Sequence, residues 1–177
     1  MRIYSDASYE PGDTAPGIGW VFLKPQSTIQ GRAARVPVEV MEALLARKTQ
    51  IYAAEAYAVL AAIYEHLEEL QDADAVFFVD NEAACAALIR GASTQVDVGA
   101  VVNAVRWLLY SVSCRPWFEW IDSASNCSDG LSRDGLDDSW TKQQGWTLQE
   151  GVAPPWNVVT DLKEIALKTL GSREVLV

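Results

Sequence analysis

Three carboxylates in this sequence lie where the surrounding pattern predicts burial, and they are its strongest candidates for chemistry. Asp6 follows the apolar start of the first predicted strand, and Asp80 ends the apolar run 76–79. Glu55 lies within the apolar half of a predicted helix, toward its edge, at about 100° of rotation per residue. A lone ionised carboxylate in such surroundings is costly, so each one needs a partner or a metal ion.

The predicted topology brings these carboxylates together. Binding sites in open α/β sheets form beyond the carboxyl ends of the strands, where Asp6 and Asp80 both lie. Carboxylates without a nearby Lys or Arg must share protons or cations, and oxygen ligands favour hard ions such as Mg²⁺ or Mn²⁺. Taken singly, Glu55 and Asp80 are better explained as capping or solvated acids. Taken as a set with Asp6, they indicate a metal site.

The composition limits the classes of function that the chain can have. Its 177 residues, 50% of them hydrophobic, suit one domain with a buried core and a terminal appendage. With 14 basic and 24 acidic residues, the net charge is −10, which argues against a broad basic surface for nucleic acid. His66 is the single histidine, so Ser-His-Asp and Cys-His catalysis both depend on it. Its helical surroundings predict a solvated or half-buried side chain.

The cysteines and the N-terminal residues indicate an intracellular protein. Cys85, Cys114 and Cys127 form no C-x-x-C pair, which argues against a disulfide framework or a zinc site and favours a reducing compartment. The first residues lack a signal-peptide layout, and no apolar run approaches the ~20 residues of a membrane span. We therefore expect a cytoplasmic or nuclear protein that does not associate with membranes and is not secreted.

The elements that must position the carboxylates follow the order β-β-β-α-β-α-α-β. Strands are predicted at 2–8, 18–23, 36–40, 75–80 and 117–121, and helices at 48–70, 82–89 and 98–112. Pro37 weakens the third strand and makes it an edge. Asn81 could cap the helix that ends at Gly91. The first three strands form an antiparallel meander and the last two add in parallel, so we expect a mixed five-stranded sheet.

The character of the sequence changes near its C-terminal part. Trp140, Trp146 and Trp156 lie in a loop-like stretch with two prolines, and residues 161–170 predict one more helix. We interpret residues 135–177 as a helical appendage packed on a domain formed by residues 1–134, rather than as a second domain.

Four short blocks, in the order of the predicted elements, resemble the ribonuclease H (RNase H) family. They are residues 4–8, 50–58, 78–84 and 120–133. The pattern is closest to RNase H domains attached to retroelement reverse transcriptases, where a fourth carboxylate lies in an Asn-x-x-Asp segment before a Ser-Arg pair. Asp129 fits that position. The resemblance covers residues 1–134 and implies an RNase H-like α/β fold.

This resemblance implies a two-metal endonuclease that hydrolyses the RNA strand of RNA/DNA hybrids. Asp6 would bridge two Mg²⁺ (or Mn²⁺) ions about 3.5–4 Å apart, and Asp129 would complete the site that activates the attacking water. Glu55 and Asp80 would hold the ion that faces the leaving 3′ oxygen. Because the carboxylates position the ions and partly neutralise them, no histidine or serine nucleophile is needed.

Substrate contacts are predicted from small polar or basic residues near the strand ends. These groups could reach the 2′-hydroxyls of the minor groove or the DNA phosphates. The candidates are Ser8, Asn81 and Arg133, with Ser93 and Thr94 equally well explained as turn residues. The basic run Arg32, Arg35, Arg47 and Lys48 is either a solvated surface or a phosphate track. The tryptophans at 107, 117 and 120 are expected in the core.

Two departures from the family pattern affect the expected substrate grip. Many cellular members carry a histidine in the loop before the last carboxylate, and the loop 122–128 has none. The basic protrusion of some members is also missing, since residues 90–97 carry little positive charge beyond Arg90. We therefore expect the isolated chain to bind hybrid weakly and in a salt- and metal-dependent way. A reverse transcriptase or another protein could deliver the substrate.

Two other functions are compatible with the same residues. One is a different nuclease, because this fold also carries exonucleases, resolvases and integrases. The other is a catalytically silent module that binds nucleic acid or a protein. The complete set Asp6, Glu55, Asp80 and Asp129 argues against a silent module. Whether the chain acts alone or within a polyprotein, and in what oligomeric state, stays open.

Overall fold

Six strands form one mixed sheet in the computed structural model, which describes residues 1–10, 13–45 and 51–161. The strands are β1 (Arg2–Ser8), β2 (Gly17–Leu23), β3 (Gln30–Arg35), β4 (Asp74–Val79), β5 (Arg115–Trp120) and β6 (Thr147–Glu150). Their order across the sheet is β5-β4-β1-β2-β3-β6. β1, β2 and β3 pair antiparallel, whereas β4 pairs parallel to β1 and β5 parallel to β4. The predicted mixed α/β sheet is confirmed.

Seven α-helices are described around this sheet. They are α1 (Val38–Ala43), α2 (Ile51–Glu65), α3 (Glu82–Arg90), α4 (Val96–Ser111), α5 (Asp129–Arg133), α6 (Ser139–Lys142) and α7 (Asn157–Thr160). Asn81 accepts a hydrogen bond from the Ala84 amide at the start of α3, and Gly91 ends that helix in the left-handed region. Among the described residues, no helix is long and apolar enough to cross a membrane.

The main core lies between one face of the sheet and the helices α2 and α4. Every residue of α2 from 53 to 63 is buried, because the helix contacts both β1 and α4. Its many alanines favour helix formation and allow this close approach on two sides. A smaller apolar cluster of Val21, Ala33 and Leu131 lies on the opposite face, beneath α5. Helices on both faces can therefore direct side chains to the same strand end.

The third strand lies earlier than predicted. β3 covers Gln30–Arg35, and the predicted strand 36–40 overlaps α1 instead. Val36 and Val40 are buried while Val38 is 66% exposed, so the valines follow a four-residue spacing rather than strand alternation. Pro37 precedes the helix, where its missing N–H costs no hydrogen bond.

The segment after residue 134 adds a strand that was not predicted. β6 pairs parallel to β3, so the sheet has six strands rather than five, and the appendage is not only helical. Glu65 of α2 links this segment to β3. It accepts one hydrogen bond from Arg32 Nε of β3 at 2.6 Å and another from the Val152 amide of the segment at 2.8 Å. The helix predicted at 161–170 lies outside the described residues apart from its first position, and the domain boundary at 134 remains a prediction.

Candidate metal centre

Three carboxylates converge at the carboxyl end of β4, between β1 and α2. Within the described part of the chain, Asp6, Glu55 and Asp80 each offer one oxygen, and these oxygens all lie within 4.8 Å of one another. β1 and β4 are parallel neighbours with Ser5 opposite Val79, so Asp6 and Asp80 come next in register. The adjacency expected from the sequence is therefore present.

Asp6 is the most central of the three and is only 3% exposed. Ser132 Oγ donates a short hydrogen bond to its Oδ2, and Asn126 Nδ2 lies 3.5 Å from its Oδ1. Burial raises the pKa of Asp6 to about 7, the Ser132 hydrogen bond acts against this rise, and the charges of Asp80 and Asp129 add to it. Asp6 is therefore a buried acid that a divalent cation would favour in its ionised form.

Glu55 reaches the site from α2 and is 4% exposed. Its Oε2 is buried without a hydrogen-bond partner, while the backbone amide of Ala7 favours its ionised form. Burial raises the pKa of Glu55 well above its usual value, and the charges of Asp6 and Asp80 raise it further. An unpartnered carboxylate oxygen beside two other carboxylates is an observation that a bound cation would explain.

Asp80 lies directly after β4 and is less buried than the other two. Its backbone carbonyl accepts a hydrogen bond from Trp120 Nε1 at 3.0 Å. The indole of Trp120, from the end of β5, thus ties the two parallel strand ends together next to the carboxylates. Trp120 itself is 50% exposed beside the site.

Asp129 begins α5 on the opposite face of the sheet and is not one of the three carboxylates that converge most closely. Arg133 Nε donates to its Oδ1 at 2.9 Å, and the Arg133 guanidinium also lies 3.9 Å from Glu10. The negative charge of Asp129 nevertheless raises the pKa of both Asp6 and Glu55, so Asp129 is close enough to interact with them electrostatically. The fourth predicted carboxylate therefore lies beside the cluster, paired with a cation of the protein.

Two glycines of β2 allow α5 to approach the sheet this closely. A Cβ atom on Gly17 would lie 2.0 Å from the carbonyl oxygen of Ser132, and one on Gly19 would lie 2.6 Å from Leu131 Cβ. Both distances are far shorter than a van der Waals contact. The absence of side chains at these two positions thus lets Leu131 and Ser132 of α5 lie directly against β2.

A cavity of about 270 Å³ opens over the carboxylates, and the three predicted substrate residues line it. Ser8 is buried, and its hydroxyl donates to the Ser132 carbonyl at 2.6 Å. The Asn81 side chain caps α3, and Arg133 is half-exposed. Ser123 and Glu10 complete the polar wall. Of these groups, Arg133 is the cation placed to meet a phosphate.

Two site residues, Asn126 and Ser132, belong to the motif around Asp129, as the Asn of its Asn-x-x-Asp segment and the Ser of its Ser-Arg pair, but no role was predicted for them. Asn126 Nδ2 donates to the Ser5 carbonyl at 3.0 Å, and Ser128 Oγ donates to Asn126 Oδ1 at 2.7 Å. Neither has a local pattern that predicts contact with Asp6, 120 or more residues away. The signal available was indirect, since both lie within three residues of Asp129.

Several other sequence interpretations change. Arg32 is buried in an ion pair with Glu65, which excludes it from a phosphate track, and positions 47 and 48 lie outside the described residues. Trp117 is 64% exposed and Trp120 50%, because β5 is an edge strand. His66 is 2% exposed and stacks on Phe22 with 4.2 Å between ring centroids. The histidine is therefore fully buried rather than solvated or half-buried as predicted.

The donor set fits a hard divalent cation. It consists of carboxylate oxygens alone, two of them from almost fully buried residues, with one oxygen left unpartnered. Within the described residues no Lys or Arg side chain pairs with Asp6, Glu55 or Asp80. Such a group of oxygens matches the preference of Mg²⁺ or Mn²⁺ rather than of softer metals.

The mixed sheet, the buried helix behind it and the carboxylates at the strand ends define the RNase H-like fold. Two solved structures that share it are RNase H1 from the halophilic archaeon Halobacterium salinarum and the N-terminal RNase H domain of a Mycobacterium tuberculosis protein. The first is 19% identical to this chain with a TM-score of 0.57, and the match covers 78% of this chain and 98% of the RNase H1 chain. The second is 16% identical with a TM-score of 0.54, and the coverages are 80% and 96%.

No protein-family profile and no curated protein sequence matches the chain. The structural likeness, at this identity, establishes the fold. The activity has to be argued from the residues of the site itself.

Proposed function

We propose that this protein is a divalent-metal-dependent nuclease of the RNase H type, which hydrolyses the RNA strand of RNA/DNA hybrids. The observation that carries the proposal is the convergence of the buried carboxylates Asp6, Glu55 and Asp80 at one strand end. The fold supports it, because both solved structures named above are RNases H.

In this proposal Asp6, Glu55 and Asp80 hold two Mg²⁺ or Mn²⁺ ions together with Asp129. When bound, such ions activate a water and stabilise the charge that develops on the leaving oxygen of a phosphodiester. Burial of Asp6 and Glu55 keeps their carboxylates in fixed positions and excludes competing water. The product ends would be a 5′ phosphate and a 3′ hydroxyl.

The residues around the cavity define how a hybrid would be held. Arg133 lies next to the carboxylates and could exchange its contacts with Asp129 and Glu10 for a backbone phosphate. Asn81 would offer its side-chain amide toward the 2′-hydroxyls that distinguish RNA from DNA. Ser8 would contribute only as a hydrogen-bond acceptor, because its hydroxyl proton is donated to the Ser132 carbonyl.

The decisive test is cleavage of an end-labelled RNA/DNA hybrid, with double-stranded RNA, double-stranded DNA and single strands as controls, in Mg²⁺ or Mn²⁺ and with EDTA. We expect metal-dependent cleavage of the RNA strand in the hybrid. Cleavage of another substrate instead would assign the protein to a different nuclease activity of this fold. No cleavage of any substrate would favour a module that only binds nucleic acid or protein.

The substitution Asp80→Asn should abolish cleavage while the protein stays folded. Asp74→Asn is a matched control, because Asp74 lies at the opposite end of β4, exposed and paired with Arg115 at 2.6 Å. We expect the control to retain activity. Full activity of the Asp80 variant would show that the carboxylate cluster is not the catalytic site.

We further propose that the protein works inside the cell with a partner that delivers the hybrid. The net charge of −10 gives the isolated chain no general attraction to phosphate. A reverse transcriptase encoded on the same or a separate chain is one such partner. Co-purification with a reverse transcriptase, and hybrid cleavage that rises when that protein is added, would support this arrangement.

A further inference from the structure

We propose that Ser132 is a positioning residue that fixes the Asp6 carboxylate for metal binding. Its hydroxyl contacts Asp6 Oδ2 and lies 2.9 Å from the backbone carbonyl of Asp129. One side chain therefore connects the central carboxylate on β1 with the residue that supplies the fourth carboxylate on α5. This inference rests on the proposed function.

Ser132 is held rigidly enough to serve this purpose. The side chain is buried, and the residue's own carbonyl accepts the hydroxyl of Ser8 at 2.6 Å. That carbonyl lies against the Cα of Gly17, where any Cβ would approach it to 2.0 Å. The hydroxyl thus sits on a backbone that cannot shift away from β1 without losing these contacts.

The second oxygen of Asp6 meets the same segment of the chain. Asn126 Nδ2 lies 3.5 Å from Asp6 Oδ1, a long contact, so Ser132 supplies the stronger of the two interactions. Each carboxylate oxygen can accept more than one hydrogen bond or ligand, so a hydroxyl donor leaves capacity for a cation. The donor restricts rotation of the carboxylate about its Cβ–Cγ bond.

Loss of this donor should weaken metal binding more than it weakens chemistry. Partners that hold metal-ligating carboxylates commonly change metal affinity by about 10–100-fold when they are removed. A Ser132→Ala variant would leave Asp6 able to bind a cation, but free to rotate away from Glu55 and Asp80. High metal concentration should therefore restore most of the cleavage rate.

The experiment is a calorimetric titration of the ion-free protein with Mn²⁺, without nucleic acid, followed by cleavage rates over a range of Mn²⁺ concentrations. For Ser132→Ala we expect about 10-fold weaker Mn²⁺ binding. The Mn²⁺ concentration for half-maximal cleavage should rise by a similar factor, with a maximal rate near that of the wild type. A purely structural role would lower stability without shifting the metal dependence.

Thr141→Val is the matched control. Thr141 is fully buried, and its hydroxyl donates to the Asp138 carboxylate at 2.5 Å. This second buried hydroxyl–carboxylate pair packs against Gly130 of α5, but within the described residues it makes no hydrogen bond to Asp6, Glu55 or Asp80. We expect this variant to melt at a lower temperature with unchanged Mn²⁺ affinity. Should Ser132→Ala fail to fold, Ser132→Cys keeps nearly the same volume with a weak donor and should show the same loss of affinity.

The outcomes separate this inference from the proposed function. If the wild type neither binds Mn²⁺ nor cleaves any substrate, the proposed function fails. If the wild type binds and cleaves while folded Ser132→Ala or Ser132→Cys binds Mn²⁺ with wild-type affinity, only the role of Ser132 is overturned. Equal loss of Mn²⁺ affinity in Thr141→Val would also overturn it, because the effect would then be a general consequence of reduced stability.

Discussion

Two of the three carboxylates in the proposed metal site are buried in the protein itself. Asp6 and Glu55 are almost fully buried, and burial is the largest cause of their raised pKa values. Within the ion-free protein, protons therefore remain in the cluster near neutral pH. A cation that binds must displace them, so metal binding and protonation compete for the same oxygens.

Metal should stabilise the protein more at high pH than at low pH. The pKa of Asp6 rises from 3.8 to about 7 on folding, so its favourable contribution to stability is present below about pH 4 and is lost as the pH rises through 7. A bound cation replaces the lost protons. We expect the rise in melting temperature on adding Mg²⁺ to be larger at about pH 8 than at about pH 5.5.

Differential scanning fluorimetry at both pH values measures this difference. Asp6→Asn is the control, because it removes one titrating ligand of the proposed site and should shrink the Mg²⁺ effect at both pH values, while Glu55 continues to titrate. An equal Mg²⁺ effect at the two pH values in the wild type would contradict the assignment of a raised pKa to the cluster.

The short helix α5 lies on the face of the sheet opposite α2 and contributes residues to the site from that side. Its residues supply Asp129 and Ser132, and the preceding loop supplies Asn126. The contact depends on bare backbone at Gly17 and Gly19 of β2. A five-residue helix has little stability of its own, so its place is set by this packing.

Gly19→Ala should displace α5 and damage the site. The new Cβ would lie 2.6 Å from both Leu131 Cβ and the Ser132 amide nitrogen, which are backbone-linked groups that cannot rotate away. We expect a loss of about 1–3 kcal/mol in the free energy of unfolding. Cleavage and Mn²⁺ affinity should both fall, because Ser132 moves away from Asp6.

Gly99→Ala provides the comparison for this prediction. A Cβ at Gly99, in α4, would meet its nearest neighbour at an ordinary 3.5 Å. Alanine there should leave activity unchanged and raise stability slightly, by about 0.5–1 kcal/mol. Urea denaturation gives both stabilities, and a Gly19 variant as stable and active as the wild type would exclude the packing argument.

Residues 135–161, which follow the last of the candidate carboxylates, pack onto the sheet and onto α2. Within this segment, strand β6 covers the β3 edge of the sheet, and Tyr57 of α2 donates a hydrogen bond to the Pro154 carbonyl. Gly151 lies against Trp20, where a Cβ would approach the indole to 2.2 Å. The described part of this segment therefore packs into the same core that supports Glu55.

Glu65→Gln should loosen this attachment. The Arg32–Glu65 pair is largely buried, with side-chain exposures of 8% and 16%, so the substitution leaves a buried guanidinium without its counter-charge. We expect a loss of about 3 kcal/mol in the free energy of unfolding. Hydrogen exchange should become faster at residues 147–152, while the carboxylate cluster keeps its Mn²⁺ affinity.

Glu68→Gln is the control, because Glu68 is an exposed acid one turn along from Glu65. Its stability should stay within about 0.5 kcal/mol of the wild type. Unchanged exchange at residues 147–152 in Glu65→Gln would show that β6 is held by its backbone pairing alone.

Elements whose residues follow a clear local period could be predicted from the sequence. The sequence pattern located β1, β2, α2, β4, α3, α4 and β5, and it placed Asp6 and Asp80 at adjacent parallel strand ends. Two kinds of segment were predicted wrongly. Val36 and Val40 fit both strand and helix spacing, and β3 and β6 are short polar strands without an apolar alternation. Local pattern carries no information that separates these cases.

The groups that support the carboxylates come from distant parts of the chain and are apparent only in the folded protein. Ser132 reaches Asp6 across 126 residues of sequence, and it does so because two glycines on a third element leave room for α5. The exposure of Trp117 and Trp120 and the burial of Arg32 likewise depend on the order of the strands. β5, which carries the two tryptophans, is an edge strand, whereas β3, which carries Arg32, is covered by β6. Residue type and spacing determine what a segment can form. Burial, and the partner that each buried polar group finds, are set by packing between distant segments.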